Sequence, residues 1–318
     1  MSGANERRDD TSAPDEGYAK REGAAHGDVS ARHDAVRRAN RAETAEDYVE
    51  AIEALVRERG EARVRDLSRT FGVSHVTVSR TVERLRRDGY VRTAPYKAIE
   101  LTESGVALAT ASRERHAVVL RFLLALTVPP DAAIIDAEGI EHHVSAPTLE
   151  AFARFTEKHP LDANLECVVE TLRETPTDPS RFARVRAAHA SEVVEDYVEA
   201  IADLAAEGSP VRVRDLALRF GVSHVTVSRT IGRLKRDGYV ETAPYKPIHL
   251  TQAGRDLALR SRERHATVLS FLLALGVPER AAEIDAEGVE HHVGEASLER
   301  FRAVSGGARD AGPDDGEP

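Results

Sequence analysis

Residues 138–143 read Glu-Gly-Ile-Glu-His-His. On a helix, Glu138, Glu141 and His142 fall at i, i+3 and i+4 and share one face. Two carboxylates so close repel each other, and an imidazole beside them is driven to protonate; a divalent cation relieves both. Asp47 and Glu50 make a second acidic pair at i, i+3, and His116 follows an Arg-Glu-Arg run. Brought together, these six would form an oxygen-rich set with two imidazoles, hard donors that suit Mn²⁺ or Fe²⁺ better than structural zinc. The lone Cys167 precludes both a thiolate zinc cluster and a disulfide framework within one chain. His143 points about 100° away from His142 on a helix, which suits hydrogen bonding to a ligand or exposure rather than ligation. The Glu-His-His order lacks the spacing that sets two histidines around a catalytic glutamate, so a metallohydrolase is disfavoured and no enzymatic activity is expected.

Every one of these residues occurs twice. AEDYVEAIEAL at 45–55 returns as VEDYVEAIADL at 194–204, FGVSHVTVSRT at 71–81 returns at 220–230, and DAEGIEHHV at 136–144 returns as DAEGVEHHV at 285–293. The offset from Asp47 to Asp196, Ser74 to Ser223 and His142 to His291 is a constant 149 residues. The second metal set is therefore Asp196, Glu199, His265, Glu287, Glu290 and His291. A repeat this long is a duplicated domain-sized module, not a solenoid unit.

The elements that must position these donors are mainly helical. Tyr48, Ile52, Leu55 and Val56 recur at i, i+4, i+7 and i+8, an amphipathic first helix. A short helix follows over about Val64–Thr70, Gly72 turns the chain, and a third helix starts at Ser74 as N-cap and faces Val78, Val82 and Leu85 inward. YVRTAPYKAIELT at 90–102 reads as a small hairpin around Ala94–Lys97, and after Gly105 a long helix runs to Leu126. Helix, glycine turn, helix and hairpin is the winged helix-turn-helix order, whose second helix enters the major groove. Its polar positions Ser74, His75, Thr77, Arg80, Thr81 and Arg84 are the candidate readers of double-stranded DNA, with Arg63, Arg65 and Arg80 toward phosphate and Lys97 at the wing tip. In the second copy these are Ser223, His224, Thr226, Arg229, Thr230 and Arg233, with Arg212, Arg214 and Lys246. Residues 63–90 hold seven basic against three acidic residues, an excess of four positive charges inside a chain of net charge −10. That local sign is what phosphate contacts require.

Composition bounds the rest. The chain has 318 residues, 41% hydrophobic and 31% charged, which is room for two domains or more in a soluble globular class. Its longest apolar stretches, Val118–Leu126 and Val268–Val277, are too short to span a bilayer, and MSGANERRDD has no apolar leader core, so a cytoplasmic protein without membrane contact is expected.

Three motifs, EDYVE at 46–50, VSHVTVSRTVERL at 73–85 and RERH…DAEGIEHH at 113–143, resemble the diphtheria-toxin-repressor family of metal-dependent repressors, specifically its manganese transport regulator branch. The resemblance implies the same six ligands per module: Asp47, Glu50, His116, Glu138, Glu141 and His142, with their second-copy equivalents. Iron-responsive relatives place Met and Cys where this chain has Asp47 and Glu138, so it points to Mn²⁺, with Fe²⁺ the alternative. It further implies a helical metal-binding and dimerisation domain after each winged helix and a palindromic operator. The family pattern is one module per chain, so the fusion suggests either an intramolecular pseudo-dimer or a homodimer of fused chains. The expected division is a disordered tail over 1–28, winged helix over 29–110, helical domain over 111–160, linker over 161–180, winged helix over 181–259, helical domain over 260–304 and a disordered tail over 305–318. A metal-independent winged-helix regulator is the alternative from outside the family.

Overall fold

A computed structural model describes residues 41–94, 97–174, 179–243 and 246–310; the expected tail over 1–28, the start of the first winged-helix domain up to residue 40 and the wing-tip Pro95-Tyr96 lie outside them. Each module begins with a helix of its reading head: α1 (residues 41–59), then α2 (Val64–Phe71) and α3 (His75–Arg87). Tyr48, Ile52 and Leu55 of α1 are buried as the spacing suggested, with Val49 beside them, whereas Val56 is exposed. Gly72 sits at φ 62°, the left-handed geometry that lets the chain leave α2 and turn into α3. Ser74 caps α3 by accepting the Thr77 N–H at 3.2 Å, and Val78, Val82 and Leu85 point into the head's own core. The wing is short: β1 (Val91–Arg92) pairs antiparallel with β2 (Glu100–Leu101), and the Ile99 N–H donates to the Ala62 carbonyl at 2.8 Å.

The helical domain follows as α4 (Glu103–Ala125), α5 (Pro130–Ile140), α6 (Ala146–Lys158) and α7 (Ala163–Glu174). The segment counted as a linker is thus largely helix α7. Leu165, Val169 and Leu172 fall at i, i+4 and i+7 and pack on the core, so α7 belongs to the domain; Arg121 of α4 holds its Glu166 at 3.1 Å. Next, α8 (Pro179–Ala206) carries the second module's first reading-head helix as part of one longer helix that also lies against α2 and α5. The second module repeats the plan as α9 (Val213–Phe220), α10 (His224–Arg236), β3 (Val240–Glu241), β4 (His249–Leu250), α11 (Gln252–Ala274), α12 (Glu279–Val289) and α13 (Glu295–Asp310). The tail expected from 305 is helical as far as Asp310, because Phe301 and Val304 anchor α13 and helix extension is cheap once its preceding turns are fixed.

The two reading heads keep separate cores, but the two helical domains share one. Phe122 stacks on Phe152 at 3.8 Å, Phe271 on Phe301 at 3.9 Å, and Phe122 meets Phe271 at 5.9 Å across the junction. His143 and His292 stack at 4.7 Å, each resting on the other module: a Cβ at Gly139 would lie 2.3 Å from His292, and one at Gly288 2.4 Å from His143. His143 is therefore half-buried rather than exposed, and it is part of the junction. Asp136 of α5 accepts from Ser297 Oγ (2.6 Å) and the Gly294 N–H, and Asp285 of α12 reciprocates on Ser145 Oγ (2.7 Å) and N–H. Each aspartate thus satisfies the helix start of the opposite module.

Candidate metal centre and reading heads

Each metal cluster straddles a domain boundary. Asp47 and Glu50 come from α1 in the reading head, His116 from α4, and Glu138, Glu141 and His142 from α5 and the turn after it. The regular helix ends at Ile140, but its C-cap Glu141 keeps helical backbone angles, so Glu138 and Glu141 share the face toward His116 as the spacing suggested, while His142 lies in the turn beyond. The turn swings His142 against α1. Its Nε2 lies 3.4 Å from Glu141 and 3.9 Å from Asp47, while His116 Nδ1 lies 3.4 Å from Glu141 and 4.0 Å from Glu138. Donor atoms of His116, Glu138 and Glu141 all fall within 4.8 Å of one another. Glu50 and Glu199 are buried or half-buried on the same helices as Asp47 and Asp196.

The second cluster repeats the set: His265 Nδ1 is 2.7 Å from Glu290 and 4.0 Å from Glu287, and His291 Nε2 is 3.5 Å from Glu290 and 3.6 Å from Asp196.

Electrostatics mark both clusters as places where charge is missing. Burial pushes the Glu141 carboxyl up against the pull of His116 and His142. Burial works against a charged His142, yet Glu141, Glu46, Glu43 and Asp47 together raise it to about 10. In the second copy burial lifts Asp196 to about 8, helped by Glu192, Glu287 and Glu199, and His291 stands at about 9. Both Glu141 oxygens and His142 Nε2 are buried without a well-aligned hydrogen bond. Carboxylates held above their usual range beside imidazoles held protonated is the arrangement a divalent cation resolves, and the oxygen-rich donors fit a hard one.

Sequence reasoning missed the outer partners. Glu46 accepts from His142 Nδ1 at 2.8 Å and forms an ion pair with Arg115 at 2.6 Å, and Glu195 does the same with His291 (2.7 Å) and Arg264 (2.6 Å). The bond leaves Nε2 facing the cluster, the orienting role that ligand histidines require. The available signal was Glu46 itself, adjacent to Asp47 and repeated as Glu195.

On the reading heads, Ser74, His75, Thr77, Arg80, Arg65 and Lys97 are exposed, as are Ser223, His224, Thr226, Arg229, Arg212, Arg214 and Lys246. Arg63 is half-buried and bonded to Glu61 at 2.6 and 2.9 Å. Thr81, Arg84, Thr230 and Arg233 are not on the open face as expected but half-buried on its inner edge, where Thr230 hydrogen-bonds Tyr197. Val76 and Val225, passed over as apolar, are 61% and 60% exposed at the N-terminal end of α3 and α10. A methyl-bearing side chain there can read thymine methyls.

Comparison with known proteins matches this arrangement. The family model described as iron dependent repressor, N-terminal DNA binding domain covers residues 42–99 and 189–248, and that described as iron dependent repressor, metal binding and dimerisation domain covers 102–162 and 251–310. The chain belongs to the iron-dependent repressor family, in tandem. It is thus a metal-dependent DNA-binding repressor, with two DNA-binding and metal-binding domain pairs in one chain. It is 50% identical over 124 residues to the transcriptional regulator MntR of Escherichia coli O6:H1, covering 39% of this chain and 80% of that protein. The MntR of Salmonella typhimurium is 48% identical over 124 residues (39% and 79%), and that of Listeria innocua 36% over 138 residues (42% and 93%). Among the described residues no helix is long and apolar enough to cross a membrane.

Proposed function

We propose that this chain is a manganese-responsive repressor of metal-uptake genes, acting in the cytoplasm on a palindromic operator, with the metal as corepressor. The observation that carries the reading is that each cluster draws donors from both sides of a domain boundary: Asp47 and Glu50 from the reading head, Glu138, Glu141 and His142 from the helical domain. The ligands are the twelve residues of the two sets described above. A bound divalent cation supplies positive charge that neutralises carboxylates gathered from both halves. Without it the buried carboxylates repel, and α1 and α8 gain nothing by docking on α5 and α12. With it, Asp47 and Asp196 are held against His142 and His291, and the separation of the two heads is fixed to match two half-sites. Only differential affinity between the two states is required. Manganese over iron rests on the donors and on the names of the relatives, and Fe²⁺ is the rival ion.

The shared phenylalanine core supports a single chain as the DNA-binding unit, each module serving as the other's partner. Light scattering should then give a mass near the chain's 34.7 kDa; twice that value points to paired chains. The deciding experiment is a titration of chelator-treated protein with Mn²⁺, Fe²⁺ and Zn²⁺, following binding to DNA from upstream of its own gene at fixed salt. Micromolar Mn²⁺ should switch binding on. Equal binding with and without metal ends the sensor reading and leaves a metal-independent winged-helix regulator.

A further inference from the structure

A homodimer must present two identical reading heads, whereas a fused pair is free to let them diverge. Here the exposed residues at the start of the reading helices, Ser74, His75, Thr77 and Arg80, are identical to Ser223, His224, Thr226 and Arg229. The cleft between reading helix and wing is not. In the first head Glu83 accepts two bonds from Arg86, at 2.9 and 2.7 Å, and both side chains line the cleft. A carboxylate thereby stands beside Arg65 and Lys97, and the Arg86 fork is turned along its own helix. In the second head Gly232 replaces Glu83 and Lys235 replaces Arg86. Lys235 Nζ donates to the wing carbonyl of Thr242 at 2.7 Å, a neutral partner that leaves its charge intact. Among the described residues, those lining that cleft include Arg214, Lys235 and Lys246 and no carboxylate. Glu61, beside the first cleft, has Pro210 as its counterpart. The wing strand carries the opposite change, Glu241 for Arg92, but Glu241 does not line the second cleft.

We propose that the two heads are unequal: they read the same core bases, but the second grips the flanking phosphates harder, and residues 83/232 and 86/235 set the difference. The chain would therefore lie on its site in one preferred orientation. This rests on the DNA-binding reading above. These are specificity-determining positions at the backbone, since a carboxylate in a phosphate cleft repels the ligand and occupies its cation.

The test uses the full chain with Mn²⁺ and a duplex selected from a randomised DNA pool, comparing wild type with Glu83→Gln and Gly232→Glu. A Cβ at 232 meets nothing nearer than the Arg236 guanidinium at 4.0 Å, so the backbone there has room for a side chain. Affinity and its salt dependence are measured together, because a merely structural effect would not move the salt slope. Glu83→Gln should tighten binding on the order of fivefold and steepen the slope by about one counterion, and Gly232→Glu should do the reverse. Hydroxyl-radical footprints of the wild type should protect one outer flank more strongly, and Glu83→Gln should even the two. Unchanged slopes in both variants, or equal flanks in the wild type, overturn the inequality while leaving DNA binding intact. Recovery of no duplex from the pool overturns the DNA reading and the inference with it.

Discussion

The two candidate metal clusters carry the same six side chains in the same order, yet their surroundings differ. The first is enclosed: the side chains of His116 and Glu138 are 13% exposed, against 30% for His265 and 43% for Glu287. Its donors already converge within coordination range, with His116, Glu138 and Glu141 mutually close. Residue identity fixes which atoms can ligate, but packing around them fixes how far they are organised beforehand, and preorganised donors bind more tightly because less ordering remains to be done. Calorimetric titration with Mn²⁺ should therefore resolve two events, the tighter belonging to the first module. Glu141→Ala should remove the tighter event and Glu290→Ala the weaker, each by more than the roughly 100-fold that loss of an outer-shell partner costs. Identical residual titrations from the two variants would erase the distinction.

Where the two copies are equally buried, they should respond equally. Phe122 and Phe271 are both fully buried in the shared core, each stacked on its own module's phenylalanine. Phe122→Ala and Phe271→Ala should each cost about 3–5 kcal/mol of stability by denaturant unfolding, and should destabilise both modules together. If one variant melted its own module while sparing the other, the core would not be common to both.

The reciprocal aspartates sharpen the same point at smaller cost. Burial pushes the Asp136 carboxyl up, partly offset by the bonds from Ser297 and Gly294, so its charge contributes less than its acceptor oxygens. Asp136→Ala strands Ser297 Oγ and the Gly294 N–H and should cost about 1–3 kcal/mol, whereas Asp136→Asn retains an acceptor and should cost less. Equal losses in the two variants would mean that charge, not hydrogen bonding, holds the junction.

How much of this was legible in advance follows from what pattern can encode. Ser74, Gly72 and the Val78/Val82/Leu85 stripe fix the reading helix locally, and the donors were all visible as repeated acidic and imidazole residues. Three things depended on tertiary packing that no local spacing records. The turn after Ile140 sends His142 one way and His143 the other, where periodicity alone put both on a helix. Glu46 had no role assigned by spacing, and only the fold placed it 2.8 Å from His142. Leu165, Val169 and Leu172 were apolar enough to make a helix, but only contact with the shared core makes α7 part of a domain rather than a linker.

A different kind of effect separates the clusters by pH. Asp196 stands at about 8, His291 at about 9 and His142 at about 10, all above their ordinary values, so in the metal-free protein each holds its proton at neutrality. The folded state binds more protons than the unfolded one. The stability from His142 and His291 is complete below their ordinary pH 6.5 and is lost as pH rises through about 10 and 9 respectively. That from Asp196 is lost between its ordinary 3.8 and about 8. Metal-free stability should thus fall as pH rises from 6 to 9, by up to about 1.4 kcal/mol per proton per pH unit. Metal binding runs the other way, because the cation must displace those protons. Mn²⁺ affinity should rise between pH 6 and 8, and the rise should be steeper at the second cluster, where Asp196 deprotonates within that window. Proton release measured in buffers of different ionisation enthalpy should fall at the second cluster as pH passes 8 while persisting at the first. An affinity flat across that range would show that the donors are already deprotonated, and that burial of the carboxylates is not what holds the site in wait for a cation.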